Sequence, residues 1–114
     1  MVTHIVMFRP RAALTDAQRR NLAETMKDAV RDIPQLRRAR FGHRVRTGRP
    51  YEQLMRADYS YVALLEFDDH EALKEYMVHP VHERLGAVFF ECFEDALMYD
   101  FTLDEGDAAI DALL

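Results

Sequence analysis

The chain has 114 residues, 49% of them apolar, one cysteine and a formal net charge of −5 at pH 7. That length gives one domain with one core and excludes two, and the apolar share excludes a disordered chain. No apolar run reaches the roughly 18 residues of a membrane span, and no signal-peptide pattern opens the chain. Cys92 has no internal disulfide partner, which fits a reducing, cytoplasmic setting.

The charge is unevenly spread. Residues 1–57 carry 13 Lys and Arg against 5 Asp and Glu, whereas residues 58–114 carry 2 against 15. The halves are expected to face each other, within a chain or across a dimer. The overall acidity argues against a nucleic-acid partner.

Val2 to Phe8 reads as a central strand, with Val2, His4, Val6 and Phe8 on one face and Thr3, Ile5 and Met7 on the other. His4 is the one polar group on its apolar face. Thr15 with Gln18 forms a capping-box pattern, and Leu22, Met26, Ala29, Val30 and Ile33 follow at helical spacing up to Pro34. Leu36 to Thr47 is a second strand with Ala39, Phe41 and His43 on one face. Arg38, Arg40, Arg44 and Arg46 share the other face, which suits a sheet edge. Gly48 to Ala57 is a polar loop, and Tyr59 to Phe67 a third strand whose Tyr61, Ala63 and Leu65 alternate with Val62 and Leu64. Asp68-Asp69 caps a short helix bearing Leu73, Tyr76 and Met77. A further helix runs from Pro80 to Cys92 or Phe93, and Ala96 to Phe101 is the last strand. Residues 1–101 thus form the domain, and residues 102–114 a C-terminal extension that includes a short, apolar-faced helix.

The stretch Tyr76-Met77-Val78-His79-Pro80-Val81-His82 concentrates a phenol and two imidazoles at a break. Proline disfavours α geometry in the residue before it and suits the first turn of a new helix. His82 then lies where the helix dipole disfavours imidazolium, and a neutral imidazole beside a phenol can take a proton near pH 7. The same spacing also suits a structural corner in which histidines cap backbone groups. A metal reading would join His79, His82 and His4, but no carboxylate or cysteine evidently completes the set. Cys92 on an apolar stripe and Ser60 without a base make poor nucleophiles.

The order β-α-β-β-α-α-β is that of an α+β, ferredoxin-like sandwich with helices on one face of a four-stranded antiparallel sheet. The other face, with Ile5, Met7, Val62 and Leu64, is left bare, which predicts a second copy related by a two-fold axis. On the helix side, His4, Phe8, His43 and Tyr61 converge with Met26, Tyr76, His82 and Leu85, and Gly86 leaves space for a small-molecule pocket.

Three segments resemble the stress-responsive A/B barrel domain (Dabb) family of dimeric α+β barrels: His4-Ile5-Val6-Met7-Phe8, Phe67 through His82, and Tyr99-Asp100-Phe101. The resemblance implies a homodimer with a pocket in each protomer between sheet and helices. A plant polyketide cyclase of that family works with a Tyr/His acid–base pair; Tyr76 and His82 match it. His4 and His79 match further pocket histidines, and Tyr61 stands where another would be. The expected function is binding of a small, largely apolar, aromatic or polyketide-like ligand. Any catalysis is expected to be cofactor-free and metal-free acid–base work of a cyclase, lyase or isomerase. The alternative is a stress-responsive or structural dimer without turnover.

Overall fold

The computed structural model describes residues 1–114. Its four strands are β1 (Val2–Pro10), β2 (Arg38–His43), β3 (Tyr61–Phe67) and β4 (Phe93–Thr102), in the order β2-β3-β1-β4 with every pair antiparallel. The helices are α1 (Asp16–Asp32), α2 (His70–Val78), α3 (Pro80–Cys92) and a short α4 (Asp107–Ile110) that continues into a 3₁₀ turn at Asp111–Leu113. The expected ferredoxin-like topology is present, with β1 as a central strand.

Local chemistry sets the helix ends. The Thr15 hydroxyl accepts the Gln18 N–H at 3.1 Å while the Gln18 side chain accepts the Thr15 N–H at 2.9 Å, so the capping box forms as read. Asp69, rather than Asp68, caps α2, accepting the Ala72 N–H at 2.8 Å. Pro80 opens α3 and forces the break before it.

Strand ends differ from expectation by one or two residues at β1, at the starts of β2 and β3 and at the end of β4, and by three or more at two places. β2 stops at His43 instead of Thr47: Arg44 makes one more backbone bond, to Ser60 at 2.8 Å, and then Arg44 and Arg46 both turn to the Asp58 carboxylate. Those two guanidiniums hold the Asp58 carboxyl below its usual range. β4 begins at Phe93, three residues early, because Phe93 turns extended (φ −94°, ψ 149°) while its N–H still bonds Phe89, and no loop separates helix from strand.

β2 is an edge strand, as its arginine face indicated. Arg38 and Arg40 each reach Glu66 of the neighbouring strand at 3.8 Å. The basic and acidic halves therefore meet within one chain here, through Glu66 and Asp58.

The core divides into two clusters under the helices. One gathers Ala29, Ile33, Ala63, Leu65, Phe67, Leu73 and Tyr76; the other gathers Phe8, Leu22, Phe89 and Cys92. On the opposite sheet face the register aligns Ile5 with Leu64 and Tyr99, and Met7 with Val62 and Leu97. No helix covers that face. Tyr99 is 56% exposed and Phe101 45%, so β4 extends the bare apolar surface beyond the residues expected from sequence. No helix is long and apolar enough to cross a membrane.

Candidate functional site

The break at Pro80 places the two histidines of the corner differently. His79 is extended (φ −65°, ψ 137°) and its Nδ1 accepts the Val81 N–H at 3.1 Å, making it the N-cap of α3. His82, two residues into α3, has its Nδ1 3.0 Å from the Met77 carbonyl. A carbonyl only accepts, so Nδ1 carries the proton and Nε2 keeps a free lone pair. The corner reading thus describes His79 and also the Nδ1 side of His82, which holds a carbonyl at the end of α2; only Nε2 of His82 is left available.

That imidazole lines a chamber of about 120 Å³ in the gap between the two core clusters. The volume is well above what one water requires. The walls are mostly apolar, with His4, Tyr76 and His82 as the polar groups that can orient a ligand. The Tyr76 and His82 rings lie 4.6 Å apart, and His4 lies 6.4 Å from Tyr76. Phe67 backs the Tyr76 ring at 4.9 Å and fixes its position.

Burial shapes the protonation of both groups. It lowers the His82 pKa, with nearby His4 adding to the effect and the Met77 carbonyl opposing it. It pushes the Tyr76 phenol up to about 12. At neutral pH the pair is therefore a neutral imidazole, able to accept, beside a protonated phenol, able to donate. The thiol of Cys92 is pushed up by burial, the opposite of what activates a nucleophile.

Of the other residues expected at the site, Phe8, Met26 and Leu85 line this chamber. Tyr61 lines instead an adjoining open trough of about 640 Å³ between α1 and β2, where it stacks on Phe8 at 5.5 Å. His43 has the expected face, but it pairs with Tyr61 at the far end of the sheet and lines neither space. His79 is taken up as a cap and lines neither. No three of His, Cys, Asp and Glu converge as metal ligands would.

Sequence reasoning placed Asp100 in the closing strand but did not pair it with His4. Its carboxylate accepts from His4 Nδ1 at 2.6 Å, because β1 and β4 set His4 opposite Asp100. This bond fixes the His4 tautomer and ring orientation, as a carboxylate behind an imidazole does elsewhere. The signal was present only as an acidic residue in an apolar-facing strand position. Gly86 is the other informative residue. It sits inside α3, where glycine costs about 1 kcal/mol relative to alanine, yet a Cβ there would meet nothing within 4 Å. Packing does not require this glycine; it leaves room in the chamber wall.

Residues 2–103 match the family described as Stress Responsive A/B Barrel Domain. Olivetolic acid cyclase from Cannabis sativa is 26% identical over 101 residues, covering 89% of this chain and 95% of that protein. Hydroxynitrile lyase from Passiflora edulis superimposes with a TM-score of 0.77 at 18% identity, over 92% of this chain and 94% of that one. A dimeric ferredoxin-like protein of unknown function from Jannaschia sp. CCS1 gives a TM-score of 0.68 at 26% identity, over 90% and 98%.

Proposed function

The chain belongs to the stress-responsive A/B barrel domain family, and from that premise we propose that it is a homodimer whose chambers take up a small, largely apolar, aromatic or polyketide-like molecule. His82 accepts a proton from that molecule and the Tyr76 phenol donates to an oxygen on which negative charge develops, with no cofactor. The observation that carries this reading is the Tyr76–His82 pair, rings 4.6 Å apart, opening on one apolar chamber. The likeness to olivetolic acid cyclase supports the ligand class.

Olivetolic acid itself serves as the probe; it is larger than the chamber of about 120 Å³, so it has to extend into the adjoining trough across the shared wall of Phe8, Met26, Val30 and Phe41. Titrated into protein labelled with ¹⁵N-histidine, it is expected to shift the His82 Nε2 resonance and leave that of His70, exposed at the start of α2, in place. Equal or absent shifts at both histidines would sink the reading. Once a substrate is found, His82→Ala should abolish turnover in a folded dimer; unchanged turnover would leave a binding site without catalysis.

The dimer is proposed to form through the sheet face of Ile5, Met7, Val62 and Leu64, to which Leu97, Tyr99 and Phe101 add apolar area. The buried Thr3 hydroxyl, without a partner in its own chain, lies on the same face. Light scattering at micromolar concentration should give twice the 13.3 kDa chain mass. Val62→Lys, which sets an unpaired charge in the interface, should give monomer or aggregate. A stable monomer of the unaltered chain would refute it.

A further inference from the structure

The segment after β4 fits no surface of its own domain. Ile110, Leu113 and Leu114 fall on one stripe and are 63%, 87% and 104% exposed, while Asp107 and Asp111 lie four apart on the same short helical stretch. Asp104 and Glu105 precede them. The segment lies beyond the residues that match the family. The α4 helix and the turn after it pack chiefly on each other.

The trough between α1 and β2 has the complementary character. Its floor includes Phe8, Met26, Val30 and Phe41, of which Val30 is 42% and Phe41 49% exposed. Its rim carries Arg19 and Lys27, two helical turns apart on α1. Lys27 meets only Glu24, at 3.6 Å, and Arg19 forms no ion pair in its own chain. An apolar floor under a basic rim matches an apolar stripe flanked by carboxylates.

We propose that residues 104–114 of one copy seat in the α1–β2 trough of a second copy, with Ile110, Leu113 and Leu114 on the floor and the acidic residues toward Arg19 and Lys27. This rests on the homodimer reading above. The sheet order explains the exchange. β4 and β2 are opposite edges, so in its own copy the segment would have to cross both α3 and α1 to reach the trough. A two-fold axis parallel to the strands exchanges the edges and sets the partner's β4 beside β2. Residues 103–109, the tether ahead of that stripe, span up to about 25 Å when extended, which sets the reach of that path. Phe8, Met26, Val30 and Phe41 line both trough and chamber, so the seated segment closes the outer approach to the His82 chamber of its partner.

The test pairs Leu113→Cys with Ala23→Cys, an exposed trough residue, in the full chain. After mild oxidation the double variant should run as a covalent dimer on a non-reducing gel, and neither single variant should. Light scattering of the same samples before oxidation separates the two ideas. A dimer by scattering that gives an intramolecular link or none overturns the segment exchange and leaves the homodimer standing. A monomer by scattering overturns both. Adding Arg19→Glu and Lys27→Glu should lower the cross-linking yield several-fold at low ionic strength, and an unchanged yield overturns the role given to the rim.

Discussion

Replacing Tyr76 with phenylalanine removes one oxygen atom from the chamber and leaves the ring between Phe67 and His82. The side chain is 2% exposed, and burial alone, with no hydrogen bond from the chain, perturbs its hydroxyl. At pH 7 the change should therefore alter stability by less than about 1 kcal/mol, since no hydrogen bond is lost. Tyr76→Ala, which deletes the ring, should cost about 3–5 kcal/mol. Alkaline pH separates the hydroxyl from the ring. The phenol titrates near 10 when unfolded and about 12 when folded, so its contribution is intact below pH 10 and is lost as pH rises toward 12. Two pKa units correspond to roughly 3 kcal/mol. Urea unfolding between pH 9 and 12 should show the unaltered chain losing about that much more stability than Tyr76→Phe; Tyr59 and Cys92, also raised, cancel in the difference. Equal alkaline losses in the two proteins would refute the buried, protonated phenol. A loss above about 2 kcal/mol at pH 7 would show that the hydroxyl has a protein partner after all.

Burial lowers the His82 pKa, so the unfolded chain takes up its proton first as pH falls below 6.5, and stability should fall there; urea midpoints of His82→Gln should show a weaker acid dependence. Gly86→Ala should raise the unfolding free energy by about 0.5–1 kcal/mol, because the Cβ enters open space in a helix; a destabilised variant in thermal unfolding would show that the wall is tighter than its geometry. Thr15→Ala should cost about 1 kcal/mol through loss of the capping box, and a change within error would mean that water replaces the cap.

Local signals in the sequence were read correctly where one principle dominated. The capping box at Thr15, the break at Pro80 and the alternation of β1 each depend on residues within a few positions. The convergence of Tyr76 and His82 was legible in the same measure, since they stand six apart across a proline and both line the chamber; their role is the proposal made above. What failed was non-local. His43 shares a face with Ala39 and Phe41, but which level of the strand meets the chamber depends on register against β3. Asp100 reaches His4 across 96 residues of chain, through a strand pairing that no local pattern encodes. The end of β2 was lost to competition, since Arg44 and Arg46 find Asp58 and the chain leaves the sheet to let them. His79 shows the reverse: a residue matched to a pocket is held by the nearest free backbone N–H.

The bond between His82 Nδ1 and the Met77 carbonyl has a stereochemical consequence. It occupies one nitrogen with an otherwise unpartnered carbonyl at the end of α2, so turning the ring over costs that bond. Any proton that His82 takes therefore enters at Nε2 and must leave from Nε2. A molecule undergoing isomerisation or ring closure there would have to present the atom that loses the proton and the atom that regains it to the same nitrogen, on one face of its plane. Label from a deuterated carbon would then be carried to the product in part, at a rate set by exchange of a single N–H with solvent.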